Sequence, residues 1–330
     1  MGNVSNLNTA IEIGSLSIFP PVIAAPMAGY TRVATRVLYR RFGAGMILTE
    51  MVSSKALAKG NERTVGMLHT EPEEDPVGIQ VFGGEIEDMR RAVEVIEQKS
   101  RACSIDLNMG CPVKKISGKG YGSALMRDPQ HCHDLVRAMV ESTSLPVTVK
   151  MRTGASSQEE NYLEVALAVE EGGASAVTLH PRSKEQKFQG QSNWEAIANL
   201  KKSLKIPVIG NGDIQSLRDA ISMAEITNCD GIMLGRGVVG NPWLFRELSQ
   251  FCETGEELEG RRERSELLSL VLEHFQLEIQ YSKRPQNEYL RVRKSLPEYF
   301  CNQEDYEEIR EQICLCSSNE ELLGLLQALE

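Results

Sequence analysis

The fold class predicted for this 330-residue chain is α/β, a (β/α)8 TIM barrel with a smaller C-terminal all-α domain. Three observations predict it. Short β-branched runs alternate with amphipathic segments through the first three-quarters of the chain. Eight such runs fall within about 250 residues, the complement of a single barrel. Each run ends in a polar or glycine motif, and a barrel brings all such ends to one face.

The elements follow in order. Residues 11–19 read as a small hairpin capping the barrel bottom. Strands are expected near 21–26, 45–50, 77–82, 103–108, 146–151, 175–180, 207–210 and 231–234. Amphipathic helices are expected between most of them, at 86–98, 130–141, 159–171, 194–202 and 216–224. A doubly wound sheet shares the alternation, but it would carry GxGxxG after its first strand. Here that turn reads Pro26-Met27-Ala28-Gly29-Tyr30. After Phe251 the character changes, and 253–264 reads as a charged, glycine-containing linker. Beyond it Leu267, Leu270, Val271, His274 and Phe275 share one helical face, and Leu322, Leu325, Leu326 and Leu329 another. Ser318-x-x-Glu321 forms a capping box before the last helix. The domains are therefore placed at 1–252 and 253–330.

Composition narrows the function classes. Hydrophobic content of 41% and charged content of 25% are those of a water-soluble globular protein. The first twenty residues hold no Lys or Arg, so they lack the basic start of a secretory signal. The longest apolar run, 18–29, is too short and too proline-rich to span a bilayer. A cytoplasmic protein with no membrane partner is expected. The eight cysteines show no CxxC pair and are expected to be reduced. No metal site is expected: His131-x-His133 is the nearest candidate, but i and i+2 diverge on a helix. A net charge of −10 argues against a generally basic nucleic-acid coat. The acids cluster, however, at 71–75, 85–97 and after Cys301, while basic residues mark particular loops.

The strand ends carry the chemistry. In order they are Pro26-Met27-Ala28, Glu50, Gln80, Asn108 leading to Cys111, Lys150 with Arg152, His180 with Arg182, Asn211-Gly212-Asp213 and Gly235-Arg236-Gly237. The last two fit a phosphate grip. Their glycines permit close backbone approach, and Arg236 adds a charged donor. Cys111 opens a loop, 113–127, that mixes three glycines with Lys114, Lys115 and Lys119, which suggests chemistry on a polyanionic substrate. Lys150 ends an apolar strand and should reach the barrel centre. There it either pairs with Glu50 or stabilises negative charge on a bound aromatic ring. His180 faces the same centre, as a site residue or as a satisfied core histidine.

The motifs PMAGYT, TEMVSS, GIQVFGG, DLNMGCPVKKISGKGYGSALM, VKMRTG, LHPRS, IGNGDI and GRGVVGNPWLF together resemble the bacterial tRNA-dihydrouridine synthases. The resemblance covers 20–246 in the family's order, and 106–126 is its most specific part. It implies an FMN-binding barrel, a helical tRNA-binding domain, and NADPH-driven reduction of the C5–C6 double bond of particular uridines. It further implies that Pro26, Met27 and Ala28 line the flavin ring, that Gln80 and Lys150 bond its polar edge, and that His180 sits beside it. Asn211, Gly212, Asp213, Gly235 and Arg236 would hold the phosphate. Cys111 matches the family's proton-donating cysteine and Asn108 its uracil-orienting asparagine. Lys114, Lys115 and Arg182 match RNA-facing positions. In the tail, members commonly carry Arg-Lys-His and then an aromatic pair. This chain departs with Arg293-Lys294-Ser295-Leu296-Pro297-Glu298-Tyr299-Phe300, where Arg291, Arg293 and Lys294 are still expected to contact phosphates. The layout requires no second subunit, so a monomer is expected. The rival enzyme reading is a flavin barrel that reduces a free pyrimidine or small enone. The other readings are a non-catalytic RNA-binding barrel and a flavin-free phosphate-handling barrel.

Overall fold

A computed structural model describes residues 6–257 and 263–329. Strands β1 (Ile11–Ile13) and β2 (Leu16–Ile18) form the expected antiparallel hairpin. Its turn uses Gly14 at φ +59, a backbone state that costs glycine nothing.

The barrel strands are β3 (Val22–Ala24), β4 (Met46–Leu48), β5 (Val52–Ser53), β6 (Val77–Phe82), β7 (Ser104–Met109), β8 (Val147–Arg152), β9 (Ala176–His180), β10 (Val208–Asn211) and β11 (Gly231–Leu234). All pair in parallel, in the order β4-β3-β11-β10-β9-β8-β7-β6-β5, and β4 pairs with β6 to close the cylinder. All eight expected strands are present within two residues of their expected bounds. The second differs in form. It is interrupted at residues 49–51, so that β4 and the short β5 lie one after the other along β6. Glu50, inside the break, turns its carboxylate to accept from the Gly29 amide.

Helices flank the strands where the apolar spacing places them, among them Ile86–Lys99, Pro129–Val140, Tyr162–Glu171, Trp194–Ser203 and Leu217–Thr227. Local signals set their starts. Asp128 accepts from the His131 amide at 3.0 Å, with Pro129 in the first turn, and Ser216 with Asp219 makes a full capping box. The box expected at Ser318 is half formed. Ser318 accepts from the Glu321 amide, but the Glu321 carboxylate takes the amide of Ser317 instead.

The expected linker starts two residues late. Helix Trp243–Thr254 runs past 253 and ends at Gly255, φ +76; residues 258–262 of the expected linker lie outside the described residues. The tail resumes with helix Arg264–Gln280, which packs on helix Val33–Arg41 of the barrel. Thr35 Oγ1 meets His274 Nε2 at 3.2 Å, and the Tyr299 hydroxyl meets His274 Nδ1 at 3.0 Å, all three groups buried. Arg32 bridges Glu278 and Glu288, both at 2.8 Å. Tyr299 meets Trp243 edge-on with ring centres 6.4 Å apart. Barrel and tail residues belong to one buried apolar cluster that includes Phe245, Phe275 and Phe300. Among the described residues, no helix is long and apolar enough to cross a membrane.

Candidate active site

The carboxyl ends of the strands open into a cavity of about 880 Å³. Its wall includes Pro26, Met27 and Ala28 after β3, Gln80 on β6, Asn108 and Cys111 from β7 and its loop, and Lys150 on β8. His180 on β9, Asn211, Gly212 and Asp213 after β10, and Gly235 and Arg236 after β11 complete it. Every residue expected to be catalytic or to hold a cofactor therefore lines one cavity.

Positive charge converges there. Burial first, and then the charges of Lys150, Arg152, Arg182 and Arg236, push His180 down to about 2, so its imidazole is neutral. Lys150 Nζ donates to Asn211 Oδ1 at 2.9 Å and not to Glu50. Burial, helped by Arg152 and opposed by Asp106, lowers Lys150 to about 8. Asn211 Nδ2 donates to Met233 O at 2.8 Å, which fixes its oxygen toward the lysine. Arg236 has no acidic partner among the described residues; its guanidinium lies 4.2 Å from the ring centre of Phe188.

Cys111 is partly buried, and all eight cysteines are unpaired. Burial pushes its thiol up, against smaller opposing effects of the Val113 amide and Arg152, so the proton stays on sulfur at neutral pH. The loop is anchored from below. Asn108 Oδ1 accepts from the Cys111 amide at 2.9 Å and the Gly110 amide at 3.2 Å. Arg152 Nε donates to Gly110 O at 2.9 Å, and its Nη1 donates to the carbonyls of Ser183 and Lys187, both at 3.0 Å. One buried guanidinium thus ties the thiol loop to the loop after β9. Gly122, φ +60, has no room for a Cβ, which would stand 2.9 Å from Cys111 O.

Several positions differ from expectation. Arg182, expected at an RNA-facing position, lies inside the protein. It is 2% exposed, donates to Asp213 Oδ2 at 2.7 Å and Gly190 O at 2.6 Å, and meets His180 Nε2 at 3.3 Å. The Asp213 carboxylate is correspondingly held by Arg182 and the Ser192 amide, at 2.7 Å each, which leaves the turn's backbone to face the cavity. Gln80 is 1% exposed, and its amide bonds run to Asp106 and Asn108. Lys114 and Lys115 are exposed beside Cys111. Of the tail cations, exposed Lys294 stands 4.4 Å from the Tyr30 ring centre at the cavity rim. Arg291 pairs with Glu288 at 3.0 Å, and Arg293 donates to Cys316 O at 2.7 Å. His131 and His133 bond Gly84 O and Asp134 separately.

Sequence reasoning missed Asp106 beneath the cavity and several residues of its wall, four of them at the rim. Phe188, 54% exposed, stands at the rim with its ring 6.4 Å from that of His180. Glu298, Cys301 and Asn302 reach the rim from the tail. Nothing local to Phe188 marks it out, and the tail residues get there only through the path of the tail.

Fold and site together define a (β/α)8-barrel enzyme whose mouth gathers cations beside a protonated thiol. The dihydrouridine synthase (Dus) family model matches residues 22–330. Over 267 residues the chain is 37% identical to tRNA-dihydrouridine synthase B of Pseudomonas putida, covering 81% of this chain and 78% of that protein. It is 36% identical over 318 residues to a probable tRNA-dihydrouridine synthase 1 of Synechocystis, covering 96% and 88%. The chain belongs to the dihydrouridine synthase family, a family of oxidoreductases. Among solved structures, a 2-naphthoyl-CoA reductase complex superposes with a TM-score of 0.60 at 12% identity, over 75% of this chain and 52% of that one. That likeness concerns the barrel fold alone.

Proposed function

We propose that this chain is a cytoplasmic, monomeric tRNA-dihydrouridine synthase that uses FMN and NADPH to reduce the C5–C6 double bond of uridines in tRNA. The observation that carries the reading is the protonated thiol of Cys111, at the end of a barrel strand, in the wall of a cavity where two glycine turns meet Lys150 and Arg236.

The donor set suits a phosphate-bearing flavin on three counts. Arg236 has no acid to neutralise it among the described residues. A Cβ on Gly235 would meet nothing nearer than 3.9 Å, so the turn leaves space for a ligand. Gly212 lines the same cavity at φ +124, a backbone state that glycine adopts freely. The backbone of Gly212, Asp213 and Gly235, with Arg236, is assigned to the phosphate. Pro26, Met27 and Ala28 are assigned to the ring face, and Lys150 and His180 to its polar edge. When bound, FMN recharged by NADPH supplies the hydride that adds to C6 of the uracil.

The protein's own groups do the rest. Cys111 holds the proton that C5 takes up, and its raised pKa keeps that proton available at neutral pH. Lys150, charged at neutral pH, steadies negative charge gathering nearby. His180 stays uncharged and offers a hydrogen bond without repelling the lysine. The uridine has to leave its stack to reach the thiol. Lys114 and Lys115 beside Cys111, and Lys294 on the tail, are assigned to the RNA backbone, and 253–330 to tRNA binding.

The test is turnover. With FMN and NADPH, the purified protein is expected to form dihydrouridine in unmodified tRNA and none from free uridine; the reverse pattern would favour the small-substrate reductase. The lysine gives a second expectation. Lys150 is charged below about 8 and loses that charge as pH rises. FMN affinity should therefore weaken as pH is raised through about 8, and Lys150→Met should lack that dependence. Fluorescence titration of FMN across the range checks it.

A further inference from the structure

A chain of buried polar groups runs under the cavity floor to the thiol loop. Thr148 Oγ1 donates to Asp106 Oδ1 at 2.7 Å, and Gln80 Nε2 donates to Asp106 Oδ2 at 2.8 Å. Asn108 Nδ2 then donates to Gln80 Oε1 at 2.8 Å. Asn108 Oδ1, at the end, accepts from the amides of Gly110 and Cys111. Asp106 is fully buried and Gln80 and Asn108 nearly so. Asp106, Asn108 and Gln80 sit on the neighbouring strands β6 and β7, where Gln80 is register partner to Asp106.

The direction of this chain is fixed at its buried end by Asp106 and agrees with the donor-only loop amides at the other. Burial raises the Asp106 carboxyl to about 6, so at neutral pH it is ionised and only accepts. Gln80 therefore turns its NH2 toward Asp106 and its oxygen toward Asn108. That oxygen obliges Asn108 to turn its own NH2 inward, which leaves Asn108 Oδ1 facing the loop amides. With either amide reversed, two donors would face each other in a buried site.

We propose that Asp106 is a positioning residue for Cys111: by setting the polarity of Gln80 and Asn108 it holds the Gly110–Cys111 backbone, and with it the thiol, at one place over the cavity. The proposal rests on the reading of Cys111 as proton donor. It adds that the donor's position is dictated from a buried carboxylate on β7, through side-chain amides rather than through the loop itself.

A swap tests it. In Asp106→Asn the new amide has two arrangements. It accepts from Thr148 and presents NH2 to Gln80, or it keeps its oxygen on Gln80 and gives NH2 to the Thr148 hydroxyl, whose own proton then loses the Asp106 acceptor. The first arrangement reverses Gln80 and Asn108 and sets donor against donor at the Cys111 amide, and either one leaves a buried donor unsatisfied. In Asp106→Asn with Asn108→Asp, the chain runs complete in the other direction. Thr148 donates to the new amide at position 106, and that amide's NH2 donates to Gln80. Gln80 in turn donates to the new carboxylate at position 108, so the loop amides again meet an oxygen. The double variant keeps the parent's net charge.

Two readouts are needed: dihydrouridine formed in tRNA under single-turnover conditions, and alkylation of Cys111 by iodoacetamide followed by peptide mass spectrometry. Asp106→Asn is expected to lose roughly tenfold or more in product formation, the effect of one unsatisfied buried polar group. Its Cys111 should alkylate faster as the loop is released, with FMN content kept. The double variant should regain the parent's slow alkylation, the readout that does not depend on the contact with uracil expected of Asn108. Product formation and alkylation by Asp106→Asn at the parent rates would overturn the proposal, as would a double variant whose Cys111 alkylates as fast as that of Asp106→Asn. If the parent forms no dihydrouridine while alkylation still follows this pattern, the proposed function fails and the positioning role stands.

Discussion

Replacing Cys111 with alanine is expected to stop dihydrouridine formation while flavin content and NADPH oxidation stay near those of the parent. The phosphate cradle is assigned to the turns after β10 and β11, across the cavity from the thiol loop, so the substitution leaves it intact. The lost step is proton delivery to C5. A positioned general acid is worth about 10²- to 10⁴-fold in rate, and no second thiol on the same loop can take over. Serine at 111 should recover little, because an alcohol is a far weaker acid than a thiol. Nucleoside analysis of digested tRNA, with flavin absorbance on the same samples, separates the two functions. Full product yield from Cys111→Ala would remove the thiol from the mechanism.

The second large effect is expected at Arg32, outside the cavity. Its guanidinium joins Glu278 on helix Arg264–Gln280 to Glu288, a carboxylate with no exposed surface. Arg32→Met would leave two buried acids short of their cation. Breaking such a pair costs about 3–5 kcal/mol. The lower end applies, since Arg32 is 20% exposed and Arg291 still holds Glu288. A fall in Tm on the order of 5 °C or more should follow. Function should divide unevenly. The segment that Arg32 secures carries Lys294, Glu298, Cys301 and Asn302 to the cavity rim. KM for tRNA should therefore rise while FMN affinity stays unchanged. Equal loss of both, or neither, would show that the ion bridge does not govern how the tail meets the substrate.

The barrel was legible because each of its strands is an apolar run closed by a turn signal, and both properties are local. The cavity wall was legible for a related reason: once eight strand ends share a face, their terminal residues must meet. What was not legible depends on partners distant in sequence. Arg182 looks like a free cation at a strand end until Asp213, on the next strand's turn, captures it. Gln80 looks available to a ligand until Asp106 and Asn108 take both ends of its amide. Asp106 could have been found, since Ser104, Asp106 and Asn108 alternate along β7 toward one side. The break in the second strand had no composition cue; Glu50 leaves the sheet to meet the amide of Gly29. Phe188 and the tail residues at the rim are set by where loops travel, which periodicity does not encode.

The single apolar interior shared by barrel and tail bears on how the molecule comes apart. Trp243 and Phe245 lie on the barrel's last helix, yet the rings over them include Tyr299, far along the chain. Neither portion owns a finished surface where the other ends. The pair should behave as one melting unit, and severing the chain near residue 255 would yield a sticky half-molecule in place of a working catalyst.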